Sequence, residues 1–318
     1  MRRNCVLPLI QGPRKMLPTR ILGNTGLSVT QIGYGSMGLR GPKTWGIRVV
    51  EESDAETFLH RVLDSGINFI DTSPDYGLCE ERIGRYLSHR RGEFYLATKC
   101  GCVYTQHPDH LEIDHHWDAA VIQSNLETSL RRLRTDHLDL LQFHGGDIET
   151  LRRNGLIELL QSFREKGLIR FIGVSSKLPN LSGLIEAQVF DTFQIPYSCL
   201  AAEHHDLIHQ AGTQGAGVII RGGIAQGGPE ATIQRPLLNE VWDAASLDQF
   251  LDGSMTRAQL ILRFTLSHPH CHTTIVGTCN EAHLMENIAA AEAGPLPEDL
   301  YRSIWTQLSK FHDGKASG

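Results

Sequence analysis

Residues 67–77 read INFIDTSPDYG, and this stretch decides the fold. The apolar residues before Asp71 have the length and composition of a short buried strand, and Pro74 and Gly77 end regular structure soon after it. An aspartate at the last position of a buried strand is expected at the rim of the sheet, outside the apolar core, and Tyr76 is expected beside it. The stretch therefore predicts a strand that runs into a loop carrying ionisable side chains.

Two later apolar runs end in the same way. Residues 94–98 lead into Lys99, and residues 138–143 lead into His144. Singly, such residues are most often turn caps, solvated strand ends or core histidines. Parallel strands, however, place their C-terminal ends side by side, and that face carries the chemistry of barrels and open α/β sheets. The predicted catalytic residues are Asp71, Tyr76, Lys99 and His144.

The alternation of strand and helix patterns continues along the chain. Eight segments read as strands: 31–34, 68–72, 94–98, 138–143, 169–174, 192–195, 217–220 and 274–276. Helical periodicity between them is clearest in 55–63, 119–133, 156–163 and 258–266. Ser53 and Asp54 are expected to cap the first of these helices, and Asp118 the helix that starts at residue 119. Eight strands alternating with helices predict an α/β fold, a closed (β/α)8 TIM barrel.

The two ends of the chain differ from this pattern. Residues 20–29 form two short β segments around an Asn-Thr-Gly turn, which predicts a hairpin. Residues 1–18 read as a loosely held N-terminal extension, and residues 19–318 as a single barrel domain. A helix is expected through residues 301–308.

Composition narrows the class of partner. The net charge of −6 and the pI near 6.2 argue against a nucleic-acid or anionic-membrane surface, because both need a concentrated positive field. Seven cysteines without framework spacing suit free thiols in a reducing compartment. The sequence shows no export signal and no run of about 20 apolar residues. We therefore expect a cytoplasmic protein that acts on a small molecule.

Three segments are too long for plain connections: 36–52, 100–117 and 222–252. Each follows a predicted strand, so each is expected on the catalytic face. The last of them is a candidate either for the pocket or for a cover over a cofactor. The aromatic residues predicted to line a substrate pocket are Trp45, Tyr104, Trp117 and Trp242.

Two further patterns, one typical of nucleotide binding and one of metal binding, are weaker evidence for function. Residues 33–38 match the letters of the dinucleotide fingerprint G-x-G-x-x-G, but Gly41 and Pro42 follow where that motif needs a helix, so a doubly wound nucleotide domain is a poor second. Sixteen histidines invite a metal hypothesis, yet no spacing fixes a four-coordinate site. We predict no metal, and leave open a substrate contact from His115 or His116.

The motifs around the predicted catalytic residues resemble those of the aldo-keto reductases. These residues lie in the contexts IDTSPDYG, ATK and LLQFH. The match continues through residues 127–133, 173–175, 194–197, 276–278 and 286–287 and covers roughly residues 18 to 300. The resemblance implies that the hairpin closes the bottom of the barrel as a plug. It also implies an oxidoreductase that interconverts a carbonyl compound and an alcohol, with Tyr76 as the proton donor.

In that mechanism Lys99, held by Asp71, is expected to lower the pKa of Tyr76, and His144 to orient the carbonyl oxygen. The resemblance further implies a nicotinamide cofactor across the top of the barrel. The residues it assigns to the cofactor are Gly35, Ser36, Met37, Asp71, Ser175, Ser176, Gln194, Arg221, Gly222, Gly223, Ile224, Gly277, Thr278, Asn280, His283 and Asn287.

Four of these positions depart from the usual pattern of the family. Ser176 stands where Asn is usual, and Arg221 where many members stack an aromatic ring on the nicotinamide. NADPH-selective members carry Lys and Arg where this chain has Gly277 and His283. We expect NADPH to be preferred, with real activity on NADH. The alternative is a regulatory barrel of the potassium-channel β-subunit type, which keeps the cofactor but has little catalysis.

Overall fold

The computed structural model describes residues 16–42, 44, 50–225, 236–251 and 253–316. Eight parallel strands close into a barrel in the order β3-β4-β5-β8-β9-β10-β11-β12. These strands are β3 Ile32–Gly35, β4 Phe69–Asp71, β5 Tyr95–Cys100, β8 Leu138–Phe143, β9 Ile169–Ser175, β10 Thr192–Pro196, β11 Gly217–Arg221 and β12 Thr273–Val276. The predicted TIM barrel is therefore confirmed, and all eight predicted strands lie within two residues of the observed bounds.

Helices cover the outside of the barrel and bury one apolar face each. They are α1 Glu52–Asp64, α2 Cys79–Leu87, α3 Ala119–Leu133, α4 Ile148–Arg153, α5 Leu156–Glu165, α6 Asn180–Glu186, α7 His205–Thr213, α8 Pro236–Ala244, α9 Arg257–Ser267, α10 Glu281–Ala293 and α11 Glu298–Ala316. The predicted helix at 301–308 lies within α11. Among the described residues, no helix has both the length and the apolar character that a membrane span requires.

One predicted helix cap is confirmed and the other is wrong. The side chain of Asp118 accepts the backbone N–H of Val121 at 3.0 Å, as an N-cap should. Helix α1 begins at Glu52 without a side-chain cap, so Ser53 and Asp54 already lie inside its first turn. Acidic residues in the first turn still complement the helix dipole, and this explains the pattern that suggested a cap.

The N-terminal hairpin is a plug, as the resemblance implied. Strands β1 Thr19–Ile21 and β2 Ser28–Thr30 pair antiparallel. Between and beside them, Leu22, Leu27 and Val29 are buried against the inward-facing residues at the bottom of the barrel. The backbone N–H of Asn24 donates to Gly215 O at 2.8 Å, just before β11. The lower end of the barrel is thus closed by apolar side chains.

The long segment after β5 is more regular than the sequence suggested. Its strands β6 Cys102–Gln106 and β7 Leu111–His115 pair as an antiparallel hairpin outside the barrel. Pairing places Cys102 directly opposite His115. The two strands are half exposed and largely polar, so the alternation of apolar and polar residues that indicates a strand is weak in them. The Pro108-Asp109 turn between them is a hairpin signal.

The other two long segments contain short helices. Ser36–Leu39 is a single turn of 3-10 helix, so the glycines of residues 33–38 belong to a barrel strand and its loop and not to a nucleotide-binding helix. Trp242 lies in α8, buried, with its Nε1–H donating to Asp248 at 3.1 Å and the Arg257 guanidinium over its ring. It is a core residue, and its assignment to the pocket wall was wrong.

Candidate active site

Inward-facing side chains change from apolar to polar along each of four strands. Residues two apart on a strand face the same side, so the buried bottom layer of Phe69, Ala97, Leu140 and Ile219 continues upward into Asp71, Lys99, Gln142 and Arg221. The polar layer lies at the C-terminal ends of the strands. The two-residue period of each strand therefore places these polar side chains together at one end of the barrel interior.

A buried ion pair forms the base of this layer. The Lys99 ammonium donates to Asp71 Oδ2 at 2.7 Å and to the carbonyl of Thr72 at 2.8 Å, and both charged side chains are 1% exposed. Burial by itself would lower the pKa of Lys99, but the charge and hydrogen bond of Asp71, together with Tyr76 and Asp75, outweigh burial and raise that pKa above the usual value. Lys99 is therefore a permanent cation at neutral pH.

The second oxygen of Asp71 joins the pair to neighbouring strands. Asp71 Oδ1 accepts the side-chain N–H groups of Gln142 at 3.0 Å and Gln194 at 2.8 Å. Gln194 in turn accepts the hydroxyl proton of Ser175 at 2.8 Å. A continuous hydrogen-bond chain thus runs from Ser175 through Gln194 and Asp71 to Lys99.

Tyr76 lies directly above the ion pair. The Lys99 Nζ atom is 4.9 Å from the centroid of the Tyr76 ring, and the ring meets that of His144 edge to face at 6.1 Å. Burial raises the pKa of Tyr76 to about 12, although Lys99 acts in the opposite direction. Lys99 does lie beside Tyr76, but the expectation that its charge would bring the pKa of Tyr76 below the ordinary value was wrong, because burial has the larger effect. The phenol is a neutral acid at physiological pH.

His144 is surrounded by polar groups that the sequence analysis did not assign. Its Nδ1 atom lies 3.3 Å from Asp75 Oδ2, 3.3 Å from Cys102 Sγ and 3.2 Å from His115 Nε2. Burial alone would raise the pKa of Asp75, but its hydrogen bond with His144 and the charge of that ring lower it to about 2. Asp75 is therefore a buried carboxylate beside His144.

These neighbours come from three different segments. Asp75 precedes Tyr76 in the loop after β4, while Cys102 and His115 face each other across the β6–β7 hairpin. No motif spacing links them, since their proximity is set by the hairpin folding back over the barrel rim. Recognition of that hairpin would have paired Cys102 with His115, which is the substrate-contact candidate of the sequence analysis.

The aromatic residues predicted to line the pocket differ in their distance from His144. The ring of Trp117 stacks on His115 with centroids 6.2 Å apart, beside His144. Tyr104 lies instead under the guanidinium of Arg132 at 5.4 Å, on the side of α3. His116 is exposed and bonds to Asp114, and Trp45 lies outside the described residues. Trp117 and His115 are thus the candidates that adjoin the catalytic group.

The residues predicted to hold the cofactor lie at or after the C-terminal ends of six barrel strands. Gly35 ends β3, and Ser36 and Met37 follow it; Asp71 ends β4; Ser175 ends β9, and Ser176 follows it; Gln194 lies in β10; Arg221 ends β11, and Gly222, Gly223 and Ile224 follow it; and Gly277, Thr278, Asn280, His283 and Asn287 follow β12. Within the described chain, Ser36 Oγ, Arg221 Nε and Asn287 Nδ2 are buried without a hydrogen-bond partner. Such groups are costly unless a ligand satisfies them, so the residues present fit a polar cofactor.

Two glycines after β11 have separate roles. Gly222 adopts a φ of +71°, and a side chain there would meet open space, so its backbone is accessible from the barrel mouth. A Cβ at Gly223 would come within 2.1 Å of Thr274 Oγ1. Gly223 is therefore required for packing of the loop against β12, and Gly222 is the position that a phosphate group could approach.

The start of α10 is less open than the sequence suggested. Asn280 caps the helix, accepting the backbone N–H groups of Ala282 at 2.8 Å and His283 at 3.3 Å. These two amides are not free for a phosphate, which corrects the expectation of an open helix N-terminus. Glu281 adds a negative charge that pairs with Arg61, and the His283 side chain is exposed.

Comparison with known proteins gives a consistent picture. The family model described as Aldo/keto reductase family matches residues 31–306. The chain is similar to an uncharacterised oxidoreductase, YqkF, of Bacillus subtilis, with 28% identity covering 90% of this chain and 94% of that protein. It is 29% identical to L-galactose dehydrogenase of Arabidopsis thaliana, over 85% of this chain and 87% of the relative.

A solved structure agrees with these matches. The holo form of aldo-keto reductase AKR11C1 from Bacillus halodurans superposes with a TM-score of 0.79 and 27% identity, over 92% of this chain and 96% of the other.

Proposed function

Because the chain belongs to the aldo-keto reductase family, we propose that its reaction is carried by Tyr76, acting as proton donor above the buried Lys99–Asp71 pair. That pair is the observation that supports the proposal most strongly. A lysine and an aspartate, both 1% exposed, would be costly to keep in a barrel interior for stability alone. Carbonyl reduction gives them a use, since it needs a fixed positive charge where a phenolate forms.

The proton step follows from the position of Tyr76. Nicotinamide cofactors of the family supply the hydride that reduces the carbonyl carbon. The substrate oxygen then takes a proton from the phenol, which is present in its neutral form because burial raises the pKa to about 12. Lys99, 4.9 Å from the ring centroid, stabilises the negative charge left on Tyr76. The neutral phenol is the form of Tyr76 that can donate a proton to a carbonyl oxygen at neutral pH.

His144 orients the carbonyl oxygen in this proposal, and Asp75 orients His144. The carboxylate lies 3.3 Å from Nδ1, which leaves Nε2 as the ring nitrogen directed to a substrate. Asp75 is therefore a positioning residue. Trp117 and His115 form the adjacent wall, and Tyr104 and Trp45 remain predictions for the pocket.

Asp75→Asn should lower kcat for carbonyl reduction about ten- to a hundredfold, the range expected for one charge-assisted hydrogen bond. The side chain keeps its shape, so we expect an unchanged Kd for the reduced cofactor, whereas the unfolding temperature should fall because the depressed pKa of Asp75 shows that its ionised form stabilises the fold. The measurement is steady-state kinetics in chelator-treated protein, together with cofactor titration. Asp114→Asn is the matched control, because Asp114 bonds to the exposed His116 and should leave kcat as it is. A wild-type kcat in Asp75→Asn would remove Asp75 from the mechanism.

We also propose that NADPH is the preferred cofactor by roughly ten- to a hundredfold in kcat/KM, with NADH used as well. Ser175, Gln194 and Arg221 would hold the nicotinamide end, Gly222 the pyrophosphate, and Thr278, His283 and Asn287 the adenosine end. The low selectivity follows from the missing Lys and Arg at Gly277 and His283. The capped amides of α10 and the charge of Glu281 weaken the phosphate site further.

His283→Arg should raise the NADPH to NADH ratio of kcat/KM by about ten- to a hundredfold, because one charge-assisted bond to the 2′-phosphate is worth about 1.5 to 3 kcal/mol. The ratio is measured with one aldehyde at fixed ionic strength. His283→Gln is the matched control and should leave the ratio unchanged. A wild-type ratio above about a thousand would mean that another basic residue already binds the phosphate.

The direct test of the proposed activity is oxidation of reduced cofactor by purified protein with 4-nitrobenzaldehyde, followed by a panel of aldehydes, ketones and aldoses. Turnover that requires Tyr76 supports the proposal. Tight cofactor binding without turnover on any carbonyl would favour the regulatory barrel instead. The two outcomes are separated by cofactor fluorescence, which reports binding independently of chemistry.

A further inference from the structure

Four metal-ligating side chains converge beside the proton donor. They are Asp75, Cys102, His115 and His144, and their ligand atoms all lie within 4.8 Å of one another. From these residues we propose a zinc-binding site at the mouth of the barrel, with Asp75 Oδ2, Cys102 Sγ, His115 Nε2 and His144 Nδ1 as the four ligands. The proposal goes beyond the reductase function and does not depend on it.

Four of the six separations between ligand atoms are close to the edges of a tetrahedron around zinc, and all six are within 4.8 Å. Zinc–ligand bonds of about 2.0 to 2.3 Å at tetrahedral angles place neighbouring ligand atoms about 3.3 to 3.6 Å apart. His144 Nδ1 lies 3.2 Å from His115 Nε2, 3.3 Å from Cys102 Sγ and 3.3 Å from Asp75 Oδ2. His115 Nε2 is 3.7 Å from Asp75 Oδ2. Small side-chain movements would suffice for coordination.

The buried carboxylate of Asp75 can accept more hydrogen bonds than the described residues donate to it. Asp75 is 2% exposed, and its Oδ1 atom accepts no hydrogen bond within the described part of the chain. A buried anionic oxygen without a donor is unfavourable unless a cation compensates it. Cys102 is equally buried, whereas the side chains of His115 and His144 are 33% and 21% exposed. A buried carboxylate and a buried thiol below two partly exposed imidazoles leave an entry path for an ion.

The scaffold fixes the ligands from outside the cluster. Asn125 accepts the backbone N–H of Cys102 at 2.8 Å and donates to its carbonyl at 2.9 Å, while the hairpin register sets Cys102 against His115. Trp117 stacks on the ring of His115. Supporting contacts of this kind orient the ligands of established metal sites.

The ligand set selects zinc among common divalent ions. Thiolate and imidazole suit zinc, whereas Mg²⁺ and Ca²⁺ take oxygen ligands. One thiolate and one carboxylate also balance the two positive charges of the ion. Cys102 binds as the thiolate, so its S–H bond is replaced by an S–Zn bond and one proton is released to solvent for each ion bound. No electrons are transferred.

The test uses the full-length chain, stripped with a chelator and titrated with Zn²⁺ by calorimetry, and separately with Co²⁺ by absorption spectroscopy. We expect one high-affinity ion per chain, a thiolate-to-cobalt charge-transfer band with tetrahedral visible bands, and no competition by Mg²⁺. Cys102→Ser should abolish the charge-transfer band and weaken Zn²⁺ binding by more than about a hundredfold. His115→Ala should weaken binding similarly while keeping the thiolate band at high Co²⁺.

Two controls separate this site from other ligands in the chain. His116→Ala removes the adjacent exposed histidine, and Cys279→Ser removes a half-buried thiol elsewhere; both should bind Zn²⁺ as the wild type does. Thermal unfolding tests whether each variant is folded. If Cys102→Ser does not fold, the Zn²⁺ affinity of His115→Ala tests the proposal. Binding that persists in both ligand variants, or the absence of a thiolate band in the wild type, would overturn the proposal. Because the readout is ion binding, its failure leaves the reductase function untouched.

Discussion

Tyr76→Phe should reduce kcat for carbonyl reduction by about 10²- to 10⁴-fold, the usual contribution of a general acid. Only the phenolic oxygen is removed, so the apolar packing of the ring over Lys99 is kept. We therefore expect Kd for the reduced cofactor and the unfolding temperature to stay close to those of the wild type. The measurement is turnover of a reactive and of a poor aldehyde, since proton donation matters more for the poor one.

The matched control for this substitution is Tyr86→Phe. Tyr86 lies in α2 and donates to Glu52 at 2.6 Å, outside the catalytic group, so its loss should leave kcat unchanged. If Tyr76→Phe reduced the poor aldehyde as fast as the wild type, another group would have to supply the proton. His144 would then be the next candidate, because its ring meets that of Tyr76 edge to face at 6.1 Å.

Lys99→Met should have a large effect on both catalysis and stability. Removing the ammonium leaves Asp71 as a buried carboxylate with only two glutamine donors. Breaking a buried ion pair from one side costs about 3 to 5 kcal/mol in the free energy of unfolding. Without the positive charge, the phenolate of Tyr76 is harder to form, and kcat should fall by about a hundredfold or more.

A double variant separates these two effects. Asp71→Asn in the Lys99→Met background removes the uncompensated charge while keeping an amide of the same shape, so it should recover much of the lost stability and none of the lost activity. Urea unfolding gives the first quantity and steady-state kinetics the second. Recovery of activity together with stability would show that Lys99 acts only through folding, and the proposed coupling to Tyr76 would be wrong.

The barrel was predictable because its signals are local. Each strand is a short apolar run that ends at a polar residue, and the helices between them have clear periods, as in α3, whose bounds are those predicted. Three of the four proposed catalytic residues, Asp71, Lys99 and His144, lie at or directly after the end of such a run, and Tyr76 lies in the loop that follows β4. The cap of α1 was misjudged because acidic residues suit both a cap and a first turn.

What the sequence could not show depends on contacts between distant segments. Asp75 and His115 meet His144 only because a hairpin folds over the barrel rim. The high pKa of Tyr76 is set by burial, a property of the whole site that no motif contains. Trp242 was misplaced because an aromatic residue in a long segment can turn inward to the core as readily as toward a pocket.

The hydrogen-bond chain from Ser175 to Lys99 connects the residues proposed to bind the cofactor with the lysine proposed to stabilise the phenolate of Tyr76. Ser175 and Gln194, the residues proposed to hold the nicotinamide amide, are joined to Asp71 through a single further bond of 2.8 Å. A ligand that drew Gln194 away from Asp71 would leave Lys99 and Gln142 as the side-chain partners of that carboxylate among the described residues. The side chains proposed to bind the cofactor and the side chains proposed to support the proton donor thus share one set of hydrogen bonds.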